Sequence, residues 1–200
     1  FYIANSGRPG PVLIDLPKDI TSAECTASLE NIIMDLPGYT IPKNPPKSDI
    51  KRISDLFKNS KKPLLLVGHG AIISRAGKEV LKLAETLHVP CVTTLLGKGA
   101  FPETHPLSLG FLGMHGTAYA NMAVTDCDLI CSIGSRWDDR ITPSNITRFC
   151  PNAVKIHIDI DPAEFNKIVV PDATAIGDAK YIVQELNKII VKCDSDKWVE

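Results

Sequence analysis

The chain has 200 residues, and its 22 Lys and Arg against 23 Asp and Glu leave a formal charge of −1. Hydrophobic residues make up 44% and charged residues 22%, the balance of a globular domain rather than of a disordered chain or a coiled coil. The near-neutral charge, with no run of Lys and Arg among aromatics, sets nucleic acid aside, and no apolar stretch approaches the roughly 18 residues that span a bilayer, so a soluble protein is expected.

The opening Phe1-Tyr-Ile-Ala-Asn-Ser-Gly7 has no initiator Met, no basic region and no apolar core. It does not read as a signal peptide but as the interior of a longer chain. Residues 12–16, between Pro11 and Pro17, have strand composition and are expected to join a sheet whose other members are absent or lie later. Residues 37–46 are punctuated by proline and read as an extended linker. Ser48 offers an N-cap to a helix that carries Ile50, Ile53, Leu56 and Phe57 at helical spacing and runs to about Asn59.

From residue 63 the pattern alternates. An apolar strand over 63–67 stops at Gly68-His-Gly70, and residues 76–87 place Val80, Leu83, Ala84 and Leu87 on one helical stripe. A strand over 89–93 exits through residues 94–97 into a long loop over 98–116 with four glycines, a length that usually signals function or disorder. A helix over 117–125, strands over 128–133 and 154–158, a short helix after Pro162, a strand over 173–176 and a helix over 178–191 complete the chain. Apolar strands separated by helices predict an α/β fold with an open, doubly wound, mostly parallel sheet, covered on both faces. Such sheets bind ligands outside the carboxyl ends of their strands.

Six cysteines without a C-x-x-C spacing suggest free thiols in a reducing compartment rather than a zinc or disulfide framework. Gly68-His69-Gly70 is either a tight turn or a place where exposed N–H groups approach a pyrophosphate. After the strand ending at Ile133 come Gly134, Arg136, Asp138, Asp139 and Arg140. Arginine forks suit phosphate and an adjacent carboxylate can orient them or accept from a ribose hydroxyl, so the position favours a ligand over a solvated charge cluster. Asp159 ends a strand, where nucleotide folds hold a ribose, whereas Asp161 and Asp178 are suited to capping helices. Gly113-Met114-His115-Gly116 is a loop that could lie against a planar ring or form a packed corner. No Ser-His-Asp elbow, phosphate-binding G-x-x-x-x-G-K-[ST] loop or H-E-x-x-H pair is present, so no catalytic residue and no metal ligand is assigned.

Several strings in order carry a resemblance. Ser6-Gly-Arg-Pro-Gly-Pro-Val-Leu-Ile-Asp-Leu-Pro-Lys-Asp19 resembles the end of the pyrimidine-binding domain of thiamine-diphosphate enzymes. Thr94-Leu-Leu-Gly97, Leu112-Gly-Met-His-Gly-Thr-Ala-Tyr-Ala-Asn121, Gly134-Ser-Arg-Trp-Asp-Asp-Arg-Ile-Thr142 and His157-Ile-Asp-Ile-Asp161 resemble the Rossmann-like central domain of the acetohydroxyacid synthase (acetolactate synthase) large-subunit family. The resemblance implies a domain that binds FAD in extended form without net redox use. Carried over, Arg8, Gly68, His69, Gly70, Thr94, Leu95, Leu112, Gly113, Met114, His115, Gly134, Arg136, Asp138, Arg140, Ile141, Asp159, Ile160, Asp178 and Ala179 fall at flavin-lining positions. His69, Trp137 and Pro143 depart from the usual Gly, Phe and Gly.

It further implies residues 1–36 as the end of a pyrimidine-binding domain, 37–46 as linker, 47–193 as the FAD-binding domain and 194–200 as the start of a second linker. Thiamine diphosphate, Mg2+ and the catalytic groups would lie on polypeptide outside these residues, leaving the fragment inactive by itself. The parent enzyme would condense 2-ketoacids for branched-chain amino acid synthesis, as a homodimer or homotetramer with a small regulatory subunit, in a bacterial cytoplasm or a eukaryotic organelle. Another FAD-holding carboligase such as glyoxylate carboligase, or a non-catalytic nucleotide-binding module, is the alternative.

Overall fold

The computed structural model describes residues 1–26, 28, 36–42 and 44–200, which fall into two units, Phe1–Pro42 and Lys43–Glu200. The first unit holds two short helices, α1 (Tyr2–Asn5) and α2 (Lys18–Ser22). The Tyr39 ring meets that of Tyr2 edge-on at 6.0 Å, and its hydroxyl shares a 2.8 Å hydrogen bond with Ser6 Oγ. The strand expected over residues 12–16 does not form: the segment is irregular and Leu13 is 90% exposed. Strand composition needs a second strand to complete the ladder, and none among the described residues pairs with this one. The expected linker divides at Pro42, its first part turning at Pro37 and Gly38 within the first unit. Lys43, and residues 27 and 29–35 of the expected 1–36 segment, lie outside the described residues.

The second unit begins with α3 (Lys47–Lys58), two residues earlier than expected: Pro46 occupies the cap, and the Ser48 hydroxyl donates to Asp49 instead of capping. There follow β1 (Pro63–Val67), α4 (His69–Ile73), α5 (Gly77–Leu87), β2 (Cys91–Thr93), β3 (Ser108–Phe111), α6 (Ala118–Asp126), β4 (Leu129–Ile133), β5 (Val154–Asp159), β6 (Ala173–Ile176), α7 (Ala179–Ile189) and α8 (Asp196–Val199). Among the described residues the sheet is parallel throughout, in the order β3-β2-β1-β4-β5-β6. The predicted open, doubly wound α/β architecture is therefore present.

Residues of β1 are buried on both faces and sort by parity. Leu64 and Leu66 join Ala120, Ala123 and Val124 of α6, while Leu65 and Val67 join Ile53, Leu83 and Ile182 from α3, α5 and α7. Each fully buried leucine contributes about 2 kcal/mol of transfer free energy. Slipping the register by one residue would exchange the two faces, which fixes the register of β1 against its neighbours. Strand β3 was hidden within the expected loop because Ser-Leu-Gly-Phe is short, half-buried and broken by Gly110 at φ +75°. It becomes a strand only through its pairing with β2.

Strands β1 to β3 step one way across the sheet and β4 to β6 the other, so the connections leaving β1 and β4 diverge and open a crevice above their carboxyl ends. Residues 194–200, expected as a linker, are fastened to this unit by Trp198 Nε1 donating to the Pro63 carbonyl and Ser195 Oγ to that of His88, both at 2.9 Å. Cys25 is exposed, and Cys91, Cys127, Cys131, Cys150 and Cys193 are buried free thiols.

Candidate functional site

The turn after β1 and the loop after β4 cross in contact. Gly68 donates its N–H to Ile133 over 2.9 Å, Gly70 to Gly134 over 3.0 Å, and Gly134 to Ile158 over 2.8 Å. A Cβ on Gly70 would stand 2.8 Å from the Gly134 Cα, so glycine is required by backbone crowding. The N–H groups of Gly68 and Gly70 are thus spent inside the protein. Of the two readings open for Gly68-His69-Gly70, the tight turn accounts for both glycines, and these two amides are not free for a pyrophosphate.

Above this crossing lies a groove of about 400 Å³. The exits of β1 and β2 bring His69, Thr94, Leu95 and Leu96; the exit of β3 brings Phe111, Leu112, Met114 and His115; the loop after β4 brings Gly134, Ser135, Arg136, Asp138, Arg140 and Ile141. His69 Nδ1 lies 3.0 Å from the Leu96 carbonyl, which only accepts, so Nδ1 carries the proton. Thr94 accepts from the Gly97 N–H at 3.0 Å and holds the Leu95–Gly97 turn, leaving Leu95 and Leu96 about two-thirds exposed.

Gly113 sits behind the groove rather than in its lining. At φ +112° a Cβ there would stand 2.6 Å from the Arg140 carbonyl oxygen, so this glycine is the seam between the loops after β3 and β4. The Asn121 amide clamps it, accepting from the Gly113 N–H and donating to the Gly113 carbonyl, each over 3.1 Å.

Asp138 organises the basic cluster. Its Oδ2 takes the Arg136 guanidinium at 2.7 Å, its Oδ1 accepts the Arg140 N–H at 3.1 Å, and its carbonyl accepts from Ile141 N, Thr142 N and Thr142 Oγ1. Both arginine side chains stay more than half exposed. Their forks can reach a ligand at little desolvation cost.

A sheet of this order, with its charged loop at the switch point, is matched in sequence as well: residues 50–186 fit the family described as the thiamine pyrophosphate enzyme central domain. The chain belongs to this family. Over its whole length it is 47% identical to the "Probable acetolactate synthase large subunit" of Methanocaldococcus jannaschii, covering 34% of that protein. It is 46% identical over 93% of the chain to the acetolactate synthase large subunit of Cyanidium caldarium, covering 32% of it, and 43% identical over 95% to that of Porphyra purpurea, again 32%. The chain spans about a third of the length of the curated relatives it matches.

In this thiamine pyrophosphate enzyme central domain, four further expected residues, besides Gly68, Gly70 and Gly113, stand apart from the groove lining. Asp159 is 8% exposed and its Oδ1 accepts the Asp161 N–H at 2.9 Å, so the carboxylate is engaged in its own turn. Ile160 follows it, half-buried. Asp178 caps α7 through the Tyr181 N–H at 2.9 Å and Ala179 opens that helix, buried; Asp161 caps the turn Pro162–Glu164. Arg8 is exposed in the first unit. Conversely, Leu96, Phe111 and Ser135 line the groove without having been singled out, and Asn121 and His157 support it. Leu96 and Ser135 sit inside the motifs already quoted, whereas Phe111 depends on the unforeseen β3. Among the described residues no helix is long and apolar enough to cross a membrane.

Proposed function

We propose that the groove holds FAD in extended form, and that the chain is the central segment of an acetolactate synthase large subunit. Thiamine diphosphate and Mg2+ are assigned to parts of the enzyme outside these 200 residues. The observation that carries this reading is the convergence of the exits of β1 to β4 on one groove that bears two exposed arginines beside an apolar rim. The volume lies within the range of small-molecule sites, and the donor set fits a dinucleotide. Arg136 and Arg140 would take phosphate oxygens, with Asp138 orienting both. Leu95, Leu112, Met114 and Ile141 would flank a planar ring, with His69, Thr94, His115 and Gly134 between. Gly68, Gly70 and Gly113 contribute by letting backbones close up. Asp159, Ile160, Asp178 and Ala179 are assigned to the outer reaches of an extended ligand.

Bound by the rest of the enzyme, thiamine diphosphate would supply the electron sink for decarboxylating one 2-ketoacid and joining the two-carbon unit to a second, while FAD would be held here as a nucleotide without net redox use. No side chain here takes part in that bond making. The role of this chain is to bind and orient.

The test is a titration of the purified chain with FAD, followed by flavin fluorescence. Saturable quenching is expected, with Arg136→Ala and Arg140→Ala each raising Kd about tenfold, the size of a lost charged hydrogen bond. Absence of quenching by the parent chain, or equal curves for parent and both variants, overturns the reading.

A further inference from the structure

Strand β5 carries His157 fully buried. Trp137 stacks on its ring with centroids 4.4 Å apart and planes at 26°, and Phe165 meets it edge-on at 4.9 Å. His157 Nε2 lies 2.8 Å from the Ser135 carbonyl oxygen. A carbonyl only accepts, so Nε2 carries the proton and Nδ1 is left as a buried acceptor without a hydrogen-bond partner. Burial holds the imidazole down to about pH 4 for its titration, although the Ser135 bond and the Glu164 carboxylate favour the charged form. Asp159 is the other carboxylate nearby, its Oδ2 3.9 Å from Nε2.

Ser135 and Trp137 stand on either side of Arg136. Trp137 holds φ +47°, a conformation that side chains rarely adopt and that surrounding contacts must maintain. We propose that His157 is the positioning residue of the loop after β4: its hydrogen bond to Ser135 and its stack on Trp137 anchor both neighbours of Arg136. They thereby set the direction from which Arg136, and through Asp138 the backbone of Arg140, reach the groove. The functional part of this inference rests on the nucleotide reading above; the structural part does not.

The test measures hydrogen exchange at the amides of Arg140, Ile141 and Thr142, all bonded to Asp138, without nucleotide. His157→Phe, which keeps a ring but loses the donor, is expected to exchange there about tenfold faster, the size of one hydrogen bond, while β4 and β5 amides keep their protection. His157→Gln, which keeps an N–H donor, is expected to restore parent rates. FAD affinity should follow the same order. Parent-like exchange in His157→Phe, or no rescue by His157→Gln, overturns the proposal. Should His157→Phe not fold, His157→Asn takes its place, its shorter amide unable to reach Ser135. Protection equal to that of His157→Gln then overturns the proposal. A parent chain that binds no FAD but shows this exchange pattern defeats the nucleotide reading and leaves the positioning role standing.

Discussion

Gly70 donates its N–H to the Gly134 carbonyl over 3.0 Å, and the two backbones lie so close that a Cβ on Gly134 would stand 2.7 Å from the Gly70 Cα. Gly134 also holds φ +64°. Gly134→Ala combines overpacking with a strained backbone and is expected to cost about 3 kcal/mol. Gly99, at φ +92° with open space around it, is the control: Gly99→Ala should cost only about 1 kcal/mol. Urea denaturation of both variants checks this, and equal losses would sink the crowding argument.

Asp138 gathers Arg136 and the Arg140 backbone from a position that is only part-buried. Exposed ion pairs add little stability, so Asp138→Ala is expected to shift the unfolding free energy by less than about 1 kcal/mol. Its effect on flavin titration should be larger, about tenfold in Kd, because both arginines lose their orientation. A variant that melts early but binds normally would reverse this assignment.

His157 is held neutral in the fold, its titration lowered from 6.5 to about 4 by burial. In this interval the unfolded chain binds the proton and the folded chain does not. Stability from this group is therefore whole above pH 6.5 and is lost as the pH falls toward 4, by about 3 kcal/mol in total. Denaturant midpoints measured at pH 7.5, 6.5, 5.5 and 4.5 should fall more steeply for the parent than for His157→Gln. Parallel profiles would show that His157 already titrates normally.

One thiol is exposed and five are buried. Burial raises the Cys91 and Cys131 thiols well above their usual range and that of Cys193 to about 11, the last with help from Asp128. Since the thiolate is the reactive form, a thiol reagent should modify Cys25 at once in the native chain and all six cysteines only after unfolding. Rapid reaction of more than one in native buffer would contradict the buried placement.

The alternation of apolar strands with striped helices was enough to establish the α/β class and the central strands, because a run such as Leu64-Leu65-Leu66-Val67 can be satisfied only where both faces are covered. The motifs around Arg136 and Asp138 were equally legible, since charged residues directly after a buried strand lie at the ligand edge of such a sheet. Residues 12–16 show the opposite case: their composition names a strand, yet hydrogen bonding requires a partner that composition cannot supply. β3 shows it too, being a strand only because β2 lies beside it.

Residue types alone determined which segments carry apolar strands and which loops carry donors. Only the tertiary structure decided that the amides of Gly68 and Gly70 are consumed internally, that Asp159 bonds within its own turn, and that His157 stands neutral behind the Arg136 loop. The physical reason is that hydrogen-bond partners and burial are properties of neighbours distant in sequence: Ser135 and His157 are 22 positions apart, and no local pattern encodes their 2.8 Å meeting.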